Sequence, residues 1–586
     1  MHILGISCYY HDSSACIIKD GILIAAAEQE RFSRKKHDNS FPFEAIMYCL
    51  KEAEITIKDV TYVAFYEKPL LKFERVLFQQ IQMFPKSFSI FLKALPSWIT
   101  EKSRIPKIVK KKLKYKGDIF FIQHHMAHAA SSFLISPFDK AGVLTVDGVG
   151  EWTTTSFGYA EGNEINLYKH IQFPHSIGLL YSTITAYLGF SVNNSEYKVM
   201  GLSSFGNNNR ETNEYYRKLK GIIDIKDDGS FFMDMSYFVY HFKSRMPGKK
   251  LCQLLGGQIC KRNTQITERH KDIAAAVQLI TEDILTKMLN HLYQETQCEN
   301  VVIAGGVALN SVYNGKILKN TPFKKIWIQP NASDGGTSIG AAYYLYNTVL
   351  KNKRNYVFNS AYLGPGYNDE EIRSFLDENK IKYTYIKDDG EFIDKVAGLI
   401  FENNIVGWFY GRMEWGPRAL GARSILSNAC NKKMQDILNL KVKHREKFRP
   451  FAPVVCIDDA NKYFECDDPI PDPTDYMLMV YPVRKQYHNM IPAVTHVDGS
   501  GRLQTIKREQ NSRYYDLIKA FGRLSGIPIL INTSFNIRGE PIVCTPHDAY
   551  QCMMGTGIDY LTLNNFIIKR DDNLRDIWDS ESIADD

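Results

Sequence analysis

The sequence predicts an α/β protein of two domains, the first internally duplicated. Three observations lead there. A chain of 586 residues exceeds the roughly 250–300 residues at which a single hydrophobic core stops growing. Two well-separated stretches repeat one pattern of apolar strand, polar turn and apolar strand. Two further stretches run from an apolar strand through a glycine-rich loop into a helix.

The first stretch opens the chain: "HILGISCYY", a polar turn "HDSS", then "ACIIKDGILIAAAEQERF". It reads as three strands, the last two joined by a tight Asp-Gly turn. "AGVLTVDGVGEWTTTSFGYAEGNEINLYKHI" repeats the scheme, which suggests a duplicated domain. Ile273, Val277, Ile280, Ile284, Met288 and Leu292 then recur at three- and four-residue spacing, an amphipathic helix. "NVVIAGGVALNSVYNGKIL" and "KIWIQPNASDGGTSIGAAYYLY" supply the two strand, Gly-rich loop and helix units. Such loops suit phosphate, because backbone N–H groups and the helix dipole face the anion. A polar, turn-rich stretch places the boundary near residue 355, giving domains 1–355 and 356–586. The second domain also reads as α/β, and the acidic tail "DSESIADD" as disordered.

Composition excludes several classes. With 44% hydrophobic and 23% charged residues the chain is globular rather than disordered or collagen-like. A formal charge of +7 from 72 basic and 65 acidic residues is too mild to indicate nucleic acid. The basic run Arg104–Gly117 reads as a solvated helix face. Eleven cysteines without C-x-x-C spacing argue against a disulfide framework or zinc ribbon, and imply a reducing cytoplasm. The opening residues lack the basic and apolar regions of a signal peptide. "VLFQQIQMFPKSFSIFLKALPSWI" is broken by Gln, Lys and Pro, so amphipathic helices packed on the core are expected there, and no membrane span.

Two clusters carry chemistry. In "FIQHHMAHAASSF", His124 and His128 are four apart and share a helix face, while His125 points elsewhere. Asp147 follows a strand, and Asp334 lies in the loop "NASDGG". Two imidazoles and two carboxylates without thiolate suit Fe(II), Mn(II) or Zn(II) alike. The competing reading is a packed helix whose histidines bond to carbonyls. In the second domain Arg412, Arg418, Arg423, Lys443, Arg445, Arg449, Arg502 and Arg538 alternate with Gly, Pro, Ala and Phe, joined by Asn532 and Ser534. That mixture reads as an anion pocket rather than a solvated face.

Over nearly its full length the chain resembles the O-carbamoyltransferases of the nodulation and antibiotic-tailoring type. The matching stretches are "GISCYYHDSSACIIKDG", "EQERFSRKKH", "HHMAHAASSF", "LTVDGVGEWTTT", "EYKVMGL", "AGGVALNSVYN", "SDGGTSIGAA", "GRMEWGPRALGARSIL", "KFRPFAPVV", "HVDGSGRLQTI" and "LINTSFNIRGEPIV". The resemblance implies an N-terminal Kae1-like domain of the actin/sugar-kinase/Hsp70 type followed by a YrdC-like α/β domain. It implies that carbamoyl phosphate and ATP form carbamoyl-adenylate in the second domain, with Mg²⁺. Transfer to a hydroxyl of a small-molecule or sugar acceptor would follow in the first, with bound iron. His124, His128, Asp147 and Asp334 would hold that metal. His11 would be the general base, its alternative being a turn-capping residue. Glu196, Lys198, Gly305, Gly306 and Asn310 would line the adenylate and acceptor sites. Arg418, Arg423, Lys443, Arg449, Arg502, Asn532, Ser534 and Arg538 would grip carbamoyl phosphate and ATP. A homodimer is also suggested.

Some positions depart from the pattern. "GLSSFG" stands for the usual "GLAPYG", Ala422 for a common Asn, and the first loop lacks an acid before the histidine. These touch the acceptor side, where an oligosaccharide, aminoglycoside, macrolactam, cephem, polysaccharide sugar or toxin alcohol would each fit. Two other functions compete. A threonylcarbamoyl-adenosine tRNA-modifying enzyme is disfavoured by the mild charge, and a non-catalytic ATP-binding regulator by the retained metal set and arginine pocket.

Overall fold

The structure is a computed structural model that describes residues 1–88, 92, 104–261, 264–444, 446 and 448–573. The acidic tail, Arg445 and much of the 76–99 stretch lie outside the described residues. The chain forms two compact units, Met1–Ala26 with Asn39–Phe358, and Ala27–Asp38 with Asn359–Asp586. A single cut near residue 355 leaves Ala27–Asp38 in the first domain; the structure assigns it to the second. Hydrogen bonds explain the difference. Arg31 Nη2 donates to Gly416 O at 2.8 Å, and Arg34 donates to the carbonyls of Ile542 and Pro541 at 2.7 and 2.9 Å.

In the first unit β1 (His2–Ser7), β2 (Ser14–Lys19), β3 (Ile22–Glu28), β4 (Tyr62–Phe65) and β5 (Asp118–Phe121) form one sheet, ordered β3-β2-β1-β4-β5. β6 (Lys140–Val146), β7 (Thr153–Glu161) and β8 (Glu164–Gln172) begin a second sheet. A separate hairpin follows, β9 (Ile223–Ile225) with β10 (Phe231–Met233). Then β11 (Asn300–Ala304) and β12 (Lys325–Trp327) complete the second sheet as β12-β11-β6-β7-β8. Both sheets therefore place their own strands in the order third, second, first, fourth, fifth. In each, the first strand is antiparallel to the second and parallel to the fourth, and the fourth is parallel to the fifth. The duplication is real, and its topology is that of the actin/sugar-kinase/Hsp70 type.

One helix carries His124 and His128, another follows the Asp334 turn, and glycines let the two pack closely. The Thr337–Tyr343 helix lies against β1 and the His124–Phe133 helix. A Cβ at Gly5 would sit 2.1 Å from Ser338 O, and one at Gly340 only 1.8 Å from Ala127 O. Both are below contact distance, so only glycine permits this approach. The Glu268–Thr296 helix buries all six apolar residues that its periodicity singled out.

The second unit is α/β, built on one nine-stranded mixed sheet. The Asp389–Phe401 and Ser512–Ser525 helices cover one face, where Phe392, Val396, Ile400, Leu517 and Phe521 pack with Leu426, Val454 and Leu530. Along the strand Ile529–Ser534, alternation continues the face of Leu530 to Asn532 and Ser534. Apolar core thus gives way to polar side chains at the strand end.

The remaining expectations divide. All eleven cysteines are free, and burial pushes the Cys16 thiol up to about 12. The Ile105–Leu113 helix buries Ile105, Val109 and Leu113 and turns its lysines outward, a solvated face. Among the described residues no helix is long and apolar enough to cross a membrane. The Pro69–Gln82 helix, however, does not pack its apolar stripe on the core. It buries Lys72, Arg75 and Gln80 and leaves Leu70 73%, Ile81 67% and the following Phe84 66% exposed.

Candidate active site

The four predicted ligands converge. His124 and His128 stand one turn apart on the His124–Phe133 helix, with their Nε2 atoms 3.1 Å from each other. Asp147 follows β6 and brings Oδ2 to 3.3 Å from His124 Nε2. Asp334 opens the turn before the Thr337–Tyr343 helix, its Oδ1 3.4 Å from His128 Nε2 and 3.7 Å from His124 Nε2. All four side chains are buried, and one ligand atom from each lies within 4.8 Å of the others. Bonds of about 2.1 Å to a first-row divalent ion put neighbouring ligand atoms roughly 3.0–3.4 Å apart. Three of the spacings, 3.1, 3.3 and 3.4 Å, fall in that range, and the His124–Asp334 spacing of 3.7 Å lies just above it. Moreover, neither oxygen of fully buried Asp334 has a hydrogen-bond partner among the described residues, an arrangement that a cation resolves. The residues fit a metal ion.

Their surroundings are organised for it. The His124–Phe133 helix has no side-chain cap of its own. Buried Glu151 supplies one from another loop, accepting the His124 N–H at 2.9 Å and the Lys68 N–H at 2.9 Å. Gly306 N–H donates to Asp147 Oδ1 at 2.9 Å, and Ser176 Oγ donates to the Asp147 and Gly148 carbonyls. Ser7 and Ser14 donate to the carbonyls of Asp334 and Gly335. His125 faces away, its Nδ1 2.7 Å from Thr145 Oγ1. Burial, then the His124 and His128 charges, keep it neutral. Burial opposes ionisation of Asp147, but the His124 bond, both imidazoles and the Gly306 N–H hold it well below the usual carboxylate range.

His11 lies beside this cluster. Its Nε2 is 3.7 Å from Asp334 Oδ2 and its Nδ1 is 2.9 Å from Asp12 Oδ2. Asp12, the residue after the histidine, thus holds one side of its ring. Tyr9 and Asp12 carry φ of 72° and 51°, left-handed conformations that side chains adopt at a cost and that collect at functional loops. Burial lowers the His11 pKa, yet Asp334 and Asp12 outweigh it and raise it to about 10.

The predicted adenylate and acceptor residues are placed unevenly. Gly305, at φ 95°, has a Cβ position 2.2 Å from Val146 O and lets the loop run beside Asp147. Glu196 is committed to Ser182 Oγ and the N–H groups of Asn193 and Ser195. Lys198 is buried, with Nζ 5.7 Å from the Phe190 ring centroid. Asn310 exchanges two hydrogen bonds with Gln278 and accepts the Tyr313 N–H. Glu196 and Asn310 thus each tie neighbouring elements together through their hydrogen bonds.

The second unit gathers its polar residues at strand ends. Asn532 pairs with both Leu426 and Ala452 across neighbouring strands. Its Nδ2 donates to Gln504 Oε1 at 2.6 Å and to Ala419 O at 3.0 Å. Gln504, two residues beyond Arg502, donates to Leu420 O at 2.9 Å. The loop bearing half-buried Arg418 is therefore tied to the strands of Asn532 and Arg502. Glu414, absent from the predicted set, fixes the same loop: its buried Oε1 accepts the N–H groups of Leu420, Ala422 and Arg423 at 2.7–2.9 Å. Lys443 Nζ meets the carbonyl of Ser534 and Asn536 Oδ1, and Arg538 donates to His444 O at 2.9 Å. Arg449 lies 3.7 Å from Glu446. Arg423 and Arg412 are different. Arg423 is fully buried, donates to the carbonyls of Tyr410, Gly411, Ala422 and Pro365, and stacks 3.5 Å from the Phe409 centroid. Arg412 donates to the Gly364 and Leu363 carbonyls. Both guanidinium groups brace backbone.

A carbamoyltransferase N-terminus family model matches residues 2–343, and a carbamoyltransferase C-terminus model residues 397–570. The chain belongs to the carbamoyltransferase family. An uncharacterized protein of Synechocystis is 45% identical to this carbamoyltransferase over 97% of each chain. Nodulation protein NolNO of Sinorhizobium fredii is 32% identical, over 96% of this carbamoyltransferase and 79% of that protein. Among solved structures, HypF of T. kodakarensis is similar at a TM-score of 0.33 and 12% identity, over 58% of this chain and 47% of that one. The His124, His128, Asp147 and Asp334 cluster lies in the part of the carbamoyltransferase matched by the first model, and the Arg418 loop in the part matched by the second.

Proposed function

We propose that this carbamoyltransferase is an ATP-dependent O-carbamoyltransferase acting in two steps. In the second unit carbamoyl phosphate, ATP and water give carbamoyl-adenylate, phosphate and pyrophosphate. In the first, the carbamoyl carbon passes from the adenylate phosphate to a hydroxyl of a small-molecule or sugar acceptor, releasing AMP. The observation that carries the reading is the buried convergence of His124, His128, Asp147 and Asp334 beside His11.

His124, His128, Asp147 and Asp334 would hold a divalent ion, Fe(II) by the family resemblance. Such an ion supplies Lewis-acid polarisation and offsets phosphate charge. Glu151 and Gly306 orient the first imidazole and the Asp147 carboxylate. His11 takes the acceptor hydroxyl proton, a role that needs its imidazole neutral; engagement of Asp334 elsewhere removes the largest influence that raises its pKa. Asp12 keeps the His11 ring oriented. In the second unit Arg418, Arg449, Arg502 and Arg538, with Lys443 and the Asn532–Gln504 pair, would offset the repulsion between carbamoyl phosphate and Mg·ATP.

The test needs no acceptor. Purified protein is given Mg·ATP with and without carbamoyl phosphate, and pyrophosphate is measured beside Arg449→Ala and His128→Ala. Pyrophosphate that requires carbamoyl phosphate, lost in Arg449→Ala and kept in His128→Ala, is expected. Folded, metal-supplied protein that releases none would remove the adenylation step.

A further inference from the structure

The Pro69–Gln82 helix is packed inside out, with polar residues buried and Leu70, Phe78 and Ile81 exposed. Helices held by packing alone turn the apolar stripe inward, so each buried polar residue needs its own account. Lys72 has one. Its Nζ pairs with Glu67 Oε2 at 2.5 Å and lies 4.7 Å from the Tyr10 ring centroid. Arg75 does not. It is 7% exposed, its guanidinium carbon lies 5.2 Å from the Phe173 centroid, and its Nε has no hydrogen-bond partner. No ion pair engages it among the described residues. A buried guanidinium is costly without a counter-ion.

Its position adds the second half of the argument. The N–H of Lys68, just before this helix, donates to the same Glu151 carboxylate that caps the His124–Phe133 helix. Phe78 meets the Trp152 ring edge-on at 5.7 Å. Tyr10, whose ring Lys72 covers, immediately precedes His11. The carboxylates acting on Arg75 are Glu67 and Glu151, and both are already engaged. Arg75 therefore lies on a helix tied to the loop of Tyr10 and His11 and to the loop of Glu151 and Trp152, and among the described residues no carboxylate forms an ion pair or hydrogen bond with it.

We propose that Arg75 is an acceptor-recognition residue of the transfer site and receives an oxyanion, a carboxylate, sulfate or phosphate, carried by the hydroxyl-bearing acceptor. This rests on the carbamoyl-transfer reading. A guanidinium fork matches two oxygens of such a group, and a neutral acceptor would leave the charge unpaired, so the residue selects acidic acceptors. The adenylate phosphate has the same chemistry and is the other source to separate.

Calorimetric binding on the full-length, metal-supplied protein tests it, with glucuronate, glucose and AMP as probes on wild type, Arg75→Gln and Glu74→Ala. Glu74 is an exposed residue of the same helix. Glucuronate should bind wild type and Glu74→Ala alike, and about tenfold or more weaker to Arg75→Gln, with glucose indifferent to the change. Unchanged glucuronate affinity in Arg75→Gln, or no glucuronate binding by wild type, overturns the proposal. If AMP rather than glucuronate loses affinity, Arg75 serves the adenylate and the acceptor assignment falls. Thermal unfolding in chloride buffer guards against a purely structural role. Arg75→Met should melt no lower than wild type, and a large drop would make the guanidinium a brace and sink the idea. Pyrophosphate release by wild type is scored separately, so failure of the two-step reading is told apart from failure of Arg75.

Discussion

The Nε2 atoms of His124 and His128 face each other at 3.1 Å. Two N–H groups cannot be aimed at one another over that distance, so at least one nitrogen presents its lone pair to the space that Asp147 and Asp334 also face. This is the geometry of shared ligation. His128→Ala is expected to lower affinity for a bound transition metal by more than about 100-fold and to abolish carbamoyl transfer. His125→Ala, whose ring is turned to Thr145, should retain the metal. Elemental analysis of both purified variants decides the matter, and equal metal content in the two would refute the ligand set.

Close helix packing underlies the same site. Asp334 reaches the histidines because Gly340, two turns further on, lets its helix lie on Ala127, where a Cβ would stand 1.8 Å from the carbonyl. Gly340→Ala must push the helices apart, at a cost of about 1–3 kcal/mol. A lower melting temperature is expected together with weaker metal retention. A melting temperature that falls while metal affinity holds would show that the Asp334 turn is positioned independently of this contact.

Glu414 organises the Arg418 loop through three N–H groups on one oxygen. Hydrogen bonds to a charged group contribute about 1.5–3 kcal/mol each in favourable cases, and a neutral amide keeps only part of that. Glu414→Gln should raise the KM for carbamoyl phosphate about tenfold or more, while the metal content of the first unit stays unchanged. Steady-state pyrophosphate release gives the KM. A loss confined to kcat would assign Glu414 to chemistry instead of loop position.

Legibility from sequence followed the range of the interaction. Strand alternation, the Asp20-Gly21 turn and the four-residue spacing of His124 and His128 are local, and they foretold three strands of the first sheet, the five of the second and half of the candidate metal site. Membership of Ala27–Asp38 in the second unit was invisible, because it depends on Arg31 and Arg34 reaching carbonyls 385 and 508 residues away. Residue type also said nothing about direction. Arg423 sits in an arginine-rich motif, yet its guanidinium is filled by backbone carbonyls, and Asn310 is held by Gln278. The 76–99 stretch read as amphipathic helices packed on the core, but residue type did not say that the Pro69–Gln82 helix overlapping it turns Phe78 and Ile81 to solvent. Glu151 and Glu414 were missed although each lies in a glycine-containing turn, a pattern that suits a carboxylate accepting backbone N–H groups.

His496 links acid stability to the second unit. Burial depresses its pKa to about 4, with Asp498 pulling upward and Arg502 adding to the depression. The unfolded chain binds this proton near the ordinary histidine value of about 6.5. Between those values the unfolded state holds a proton that the native state lacks, so this contribution to stability is present above about 6.5 and is lost as pH falls through 4. The slope from one such group is at most about 1.4 kcal/mol per pH unit. His496→Gln should flatten the fall of melting temperature between pH 6.5 and 4, since the other histidines titrate alike in both proteins. Parallel profiles for wild type and variant would mean that His496 accepts its proton without penalty in the folded state.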